Sequence, residues 1–97
     1  MKSEQAVNLA KYLPPGFTAT RPIPAVCKKE GRHFIASAPS LGLAIRGMGG
    51  SRKKALRDLG VVTVELLEDF MESPDQPRVG QAEHCFRQIT AAISPAG

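Results

Sequence analysis

The stretch from Arg46 to Gly60, RGMGGSRKKALRDLG, holds the residue types in this chain best suited to binding an anion. Glycines and a serine stand just before a predicted helix, where backbone N–H groups and neighbouring cations favour negative charge. The spacing matches neither a Walker loop nor a dinucleotide-binding loop. A tight turn followed by a solvated helix end remains the alternative interpretation. The candidate anion, nucleic-acid or partner contacts are Arg46, Gly49, Gly50, Ser51, Arg52, Lys53, Lys54 and Arg57.

Charge is segregated around this stretch. Between Lys28 and Arg57 there are eight cations and one acid, whereas Asp58 to Asp75 contains six acids and no cation. The two blocks meet inside one predicted helix, with cations at its start and acids towards its end. Both placements oppose the helix dipole, at roughly 0.3–1 kcal/mol per exposed charge.

Other residues with chemical potential lack the spacing that chemistry requires. Cys27, His33, His84 and Cys85 show no Cys-x2-Cys or His-x3-His pattern, so we expect no metal site and no cofactor. Serines such as Ser37, Ser40 and Ser51 have no elbow motif around them. An acidic stripe on the predicted helix is typical of a solvated face, not a paired-carboxylate site. The chain is therefore expected not to be an enzyme.

The length and composition indicate one small domain with an aliphatic core. The chain has 97 residues, a net charge of +4, no Trp and 5% aromatic residues. We expect no signal peptide, and no apolar run approaches the ~20 residues of a membrane span. We expect a cytoplasmic protein with reduced thiols and no membrane contact.

The pattern of apolar residues predicts an α+β fold. A short helix over 3–13 precedes an extended segment, and strands follow at 23–27, 32–37 and 43–47. Ser51 caps an amphipathic helix over 51–72 that turns Leu56, Leu59, Leu66 and Phe70 towards the sheet and ends before Pro74. A helix over 82–93 completes the prediction. The expected core is a three-stranded antiparallel sheet packed by one long helix, with short flanking helices or extended segments.

Residues 23–73 form a unit that resembles the HicB family of antitoxins. The family's Pro-x-Leu-Gly segment after the second strand is similar to Ala38-Pro39-Ser40-Leu41-Gly42, and its strand-closing glycine is similar to Gly47. Its Ser or Thr helix cap and the following Ala-Leu correspond to Ser51 and Ala55-Leu56. The resemblance implies a partial RNase-H-like fold without nuclease activity. It also implies a protein that neutralises a small basic RNA-cleaving toxin.

The resulting expectation is a non-catalytic binding protein with an N-terminal segment (1–22), a HicB-like core (23–73) and a C-terminal extension (74–97). Its partner is expected to be a toxin-like protein, and unpaired sheet edges predict a homodimer or higher homo-oligomer. The helix begins with cations where family members commonly carry acids. Two alternatives therefore stay open: a nucleic-acid-binding module that uses the Arg46 to Arg57 patch, and a structural oligomeric adaptor.

Overall fold

A computed structural model describes residues 6–42, 45–73 and 75–96. Within these ranges no helix has the length and apolar character needed to cross a lipid bilayer. A 3-10 helix occupies Leu9–Tyr12. The strands are β1 Val7–Asn8, β2 Phe17–Ala19, β3 Pro24–Glu30, β4 His33–Ser37, β5 Arg46–Gly49 and β6 Ile93–Pro95, and the helices are α1 Arg52–Glu72 and α2 Gln81–Ala92.

The central sheet confirms the α+β class but has four strands where three were predicted. Its order is β1-β3-β4-β5, and every pair is antiparallel. Strands β3 and β4 form a two-residue hairpin in which Glu30 pairs with His33. Gly31 at the first turn position has φ +62°, a conformation that suits a type II′ turn. The added strand, β1, pairs only with Pro24 and Ala25.

The prediction of an N-terminal helix over 3–13 is wrong for the part of that segment that the structure describes. Asn8 is extended, with φ −85° and ψ 113°, and its Oδ1 accepts hydrogen bonds from the N–H groups of Ala10 (3.0 Å) and Ile23 (3.1 Å). Because this side chain ties the segment to β3, a strand followed by one 3-10 turn replaces the helix. Leu9 becomes fully buried.

The third strand of the prediction is displaced along the chain. Residues 43–47 were predicted, whereas β5 spans Arg46–Gly49; Leu43 and Ala44 lie outside the described residues. Gly47 and Gly49 are not turn residues but strand residues that face α1. A Cβ built at Gly47 would lie 2.2 Å from the backbone N of Leu59, and one at Gly49 would lie 2.7 Å from the backbone N of Ala55. Only glycine permits the helix to lie this close to the strand.

Helix α1 begins and ends as its sequence predicts. The Ser51 hydroxyl accepts a hydrogen bond from the Lys54 N–H at 3.2 Å, which caps the first turn. The side chains of Leu56, Leu59 and Phe70 are buried against the sheet and α2. At the other end, the Arg78 guanidinium donates to the carbonyls of Ser73 (2.6 Å) and Phe70 (3.4 Å). This cation follows the helix in sequence, yet it complements the negative end of the helix dipole.

Gly60 lies in the middle of α1 for a packing reason. A Cβ at this position would lie 2.3 Å from the carbonyl oxygen of Tyr12, so the N-terminal segment crosses directly over the helix backbone. Glycine in a helix costs about 1 kcal/mol of stability relative to alanine. The close contact with Tyr12 explains why glycine is nevertheless found here.

The two ends of the described chain meet in a second, two-stranded sheet. Strand β2 pairs antiparallel with β6, with Phe17 opposite Pro95 and Ala19 opposite Ile93. The predicted C-terminal helix is present as α2, but Ile93 belongs to β6 instead. One hydrophobic core joins the central sheet, α1, α2 and the N-terminal segment, and it includes Leu9 and Ile93.

Candidate functional site

Arg52, the first of the three cations, is engaged by the fold. Its guanidinium lies 5.3 Å from the centre of the Phe34 ring and donates a hydrogen bond of 3.1 Å to the carbonyl of Cys27. The side chain therefore extends from the start of α1 over Phe34 on β4 to the backbone of Cys27 on β3. Phe34 is half-buried beneath it. Part of the cationic helix start is thus explained by packing.

The glycines and the serine of the predicted anion site also serve the fold. Gly49 lies under the first turn of α1, where a Cβ would meet the Lys54 side chain at 2.7 Å. Ser51 Oγ is occupied by the Lys54 N–H. A Cβ built at Gly50 would meet no atom within 4 Å beyond its chain neighbours. The close backbone approach made possible by Gly49 is to the first turn of α1.

The remaining cations of the predicted patch lie on different surfaces. Arg46 points to the sheet face opposite α1, where it lines a concavity with Lys28. Arg57 lies on α1 beside Lys11 and Tyr12. Lys53 and Lys54 are exposed on the first turn of α1. The structure thus separates Arg46 from Lys53, Lys54 and Arg57.

The outer face of the central sheet is a surface that the sequence analysis did not select. Strand alternation brings Lys28, Ile35 and Met48 into one cross-strand row and Val26, Ser37 and Arg46 into the next. No helix among the described elements covers this face. Met48 is 57% exposed, and Val26 and Ile35 are partly buried. We call the six residues of these two rows, together with Glu30, the outer sheet face. Its members are Val26, Lys28, Glu30, Ile35, Ser37, Arg46 and Met48. The sequence signal that could have identified this face is the period-two alternation of side chains over 26–37.

The edge of the sheet at β5 is blocked by an acid. The Met48 N–H donates a 2.9 Å hydrogen bond to the Asp58 carboxylate on α1. That donor is therefore unavailable to a strand from another molecule. A side chain that occupies an edge amide is a known protection against edge-to-edge pairing. One amide that an association through this sheet edge could use is therefore already paired.

The cysteines and histidines are dispersed. Cys27 lies on β3, His33 on β4, and His84 and Cys85 on α2. Burial raises the pKa of the Cys85 thiol above its ordinary value. Across the described ranges, no group of three or more His, Cys, Asp or Glu side chains is placed to hold a metal ion.

A second concavity, of about 500 Å³, lies between α1 and α2. Its walls are apolar, with Val62, Leu66 and Phe70 on one side, and Glu65 and Asp69 are on its rim. It opens beside Gly42 and Ile45, which flank the two residues outside the described ranges.

Comparison of the chain with protein-family models, curated proteins and solved structures finds no match.

Proposed function

We propose that this chain is a HicB-like, non-catalytic protein that acts by binding a partner protein through its outer sheet face. The observation that carries the proposal is a sheet face that no described helix covers and on which apolar and charged side chains stand next to each other. Val26, Ile35 and Met48 supply the apolar area, and Lys28 and Arg46 flank it. Protein interfaces outside obligate complexes commonly combine apolar and charged side chains in this way.

The chemistry of the outer sheet face favours a protein over a nucleic acid. It has no Phe, Tyr or Trp side chain on which a base could stack, although the His33 imidazole lies opposite Glu30 at its border; stacking is a main source of affinity for single strands. Its charge is mixed, because Glu30 accompanies Lys28 and Arg46 in the same concavity of about 250 Å³. The face therefore suits a partner surface with apolar side chains and a few acids near them.

The test is site-specific cross-linking in the native host. A photoreactive phenylalanine derivative replaces Met48 in one version of the chain and Val79 in the control. Val79 is 83% exposed on the connection before α2, outside the outer sheet face. We expect a discrete cross-linked protein from position 48 and none from position 79. Equal labelling from both positions would contradict the proposal.

The captured protein then allows a quantitative measurement with purified components. Met48→Asp places a charge on the most exposed apolar side chain of the outer sheet face, and we expect it to weaken binding at least about tenfold. Val79→Asp is the matched control and should leave the affinity unchanged. Unchanged binding by the Met48 variant would exclude this face as the interface.

A nucleic-acid-binding function is the second candidate. It is favoured by the exposure of Lys53, Lys54 and Arg57 on α1. Binding to short DNA or RNA at ~50 mM salt, lost steeply with rising salt, is the expected signature. Absence of a complex at tens of micromolar protein in a mobility-shift titration would exclude it and leave the protein-binding proposal intact.

A further inference from the structure

The solvent-facing side of α1 carries an ordered stripe of exposed residues. Lys54, Arg57, Val61, Glu65 and Glu68 recur at steps of three and four, so they lie along one side of the helix. This stripe is opposite the buried side that carries Leu59 and Phe70. We call these five residues the α1 stripe.

The charges of the α1 stripe are antisymmetric about its middle residue. Arg57 and Glu65 are each four residues from Val61, and Lys54 and Glu68 are each seven residues from it. With a rise of 1.5 Å per residue, these pairs lie about 6 Å and about 10 Å on either side of Val61. A second copy running antiparallel would place every cation of the stripe opposite an acid.

The fold leaves these charges available. The one ion pair among the described residues joins Arg87 to Glu83 on α2, so no described carboxylate neutralises Lys54 or Arg57. In the single chain the cations at the start of α1 and the acids towards its end both oppose the helix dipole. An antiparallel partner helix would bring opposite charge to both ends at once.

The centre of the stripe is apolar and adjoins a concavity. Val61 is 42% exposed on this side of the helix. Beside it lies a depression of about 330 Å³ lined mainly by Tyr12, Leu13, Pro14 and Pro15. A two-fold axis through Val61 would place the two valines and the two depressions next to each other, which gives the contact an apolar centre.

We propose that two copies of this chain associate through the α1 stripe, with their α1 helices antiparallel and Val61 on the two-fold axis. Lys54 of each copy pairs with Glu68 of the other, and Arg57 pairs with Glu65. The inference is independent of the proposed function, because the outer sheet face lies on the other side of the sheet and stays uncovered.

The first test measures mass and self-affinity by sedimentation equilibrium at micromolar concentrations. The unaltered chain should have twice the 10.4 kDa monomer mass. Lys54→Glu/Arg57→Glu makes the stripe wholly acidic, and Glu65→Lys/Glu68→Lys makes it wholly basic. Each should weaken self-association by at least about a hundredfold, because like charges then face each other.

The decisive measurement is the mixture of these two variants. Every cross-helix pair is again opposite in sign, so we expect a heterodimer with affinity close to that of the unaltered chain. Lys28→Glu/Arg46→Glu is the matched control, since it reverses two cations on the outer sheet face; its self-affinity should not change. Circular dichroism of each variant shows whether it folds.

A second measurement tests the axis itself and needs no charge change. Facing helices with axes ~8–10 Å apart leave roughly 4–5 Å between facing Cα atoms, near the separation a disulfide spans. Val61→Cys should therefore form a covalent dimer under mild oxidation. Met48→Cys, exposed on the outer sheet face, is the control and should not.

Three outcomes would overturn the proposal. The first is a monomeric mass for the unaltered chain throughout the micromolar range. The second is a mixture of the two charge variants that fails to associate although both fold. The third is a cross-link that forms as readily at position 48 as at position 61. If the chain is monomeric and Lys54→Glu/Arg57→Glu abolishes binding to short DNA or RNA, the cations serve a nucleic acid instead. The proposed function is tested separately, by photochemical cross-linking from position 48 to a different protein, and none of these results decides that test.

Discussion

The central unit, β3 to α1, and the two flanking segments, 6–22 and 75–96, are built from contacts of very different range. In the central unit each element packs against its neighbour in sequence: β3 with β4, β4 with β5, and α1 over β5. In the flanks, β2 pairs with β6 from the other end of the chain. Thr20 N–H donates to Ala92 at 2.7 Å and Ala96 N–H donates to Gly16 at 2.7 Å.

This difference means that the flanks depend on the central unit more than the central unit depends on them. Joining distant segments costs loop-closure entropy, which only burial recovers. The flanks recover it by placing Leu9, Ile89 and Ile93 in the common core. We therefore expect the flanks to open at a lower free energy than the central unit, as segments with such long-range attachment commonly do.

The largest predicted effect is on the central unit. Leu59 lies on the buried side of α1 and is fully buried, so Leu59→Ala should reduce the free energy of unfolding by about 2–5 kcal/mol. Met71→Ala is the control on the same helix; Met71 is 52% exposed, and its loss should cost under about 0.5 kcal/mol. Urea denaturation measures both variants. Similar losses for the two would contradict the packing of α1 described above.

Gly47→Ala tests how tightly α1 lies on β5. The added Cβ would meet helix backbone, which cannot rotate away, so a loss of about 1–3 kcal/mol or more is expected. Gly50→Ala introduces the same methyl group three residues later, where nothing lies within 4 Å. That control should be close to neutral in the same denaturation experiment. Equal stability of the two variants would mean that α1 stands further from β5.

Gly60→Ala links the two regions. Helix propensity alone predicts a gain of about 1 kcal/mol. The Cβ would lie 2.3 Å from the Tyr12 carbonyl oxygen, so we expect a net loss of about 1–2 kcal/mol instead. Amide chemical shifts of residues 9–13 should change more than those of β4. A net gain in stability would show that the N-terminal segment does not rest on the helix.

Asn8→Ala tests the attachment of the N-terminal flank. It removes the acceptor for the N–H groups of Ala10 and Ile23, and we expect a loss of about 1 kcal/mol. Asn8→Asp replaces the amide oxygen with a carboxylate oxygen that can still accept both hydrogen bonds, and it should retain most of the stability. If both variants behave alike, the side-chain oxygen does not hold the segment.

The two cysteines allow the opening of the two regions to be compared directly, since Cys27 lies in the central unit and Cys85 in a flank. This prediction concerns labelling rates and involves the smallest effect. Both are buried, and burial raises the Cys85 pKa, so its reactive thiolate is scarce at neutral pH while the protein is folded. We expect Cys85 to be alkylated before Cys27 under native conditions, through local opening of α2. Simultaneous labelling at the rate of global unfolding would show that the regions open together.

Much of the central unit could be predicted from the sequence because its signals are local. Period-two alternation marked β3 and β4, and the steps of three and four from Leu56 to Phe70 marked α1. Ser51 and Pro74 bounded that helix because capping and the loss of an N–H donor act within one turn. The placement of β5 was less accurate, since Gly47 and Gly49 carry no side chain to reveal which way the strand faces.

The candidate site was predicted less well than the fold. Arg52 is engaged by Phe34 and Cys27, and Arg46 lies on another face from Arg57, because positions adjacent in sequence are separated by a strand-to-helix turn. The outer sheet face was missed since it gathers residues from three strands, and its members stand together only once strand register is known.

The sequence by itself determined the α+β class, the charge segregation and the extent of α1, because composition, periodicity and capping chemistry act over a few residues. Only the tertiary structure decided the strand at Val7–Asn8 and the pairing of β2 with β6. It also decided why positions 47 and 60 require glycine. These features depend on which backbone segments approach within van der Waals distance. That approach is set by burial and loop closure over the whole chain, and no local pattern records it.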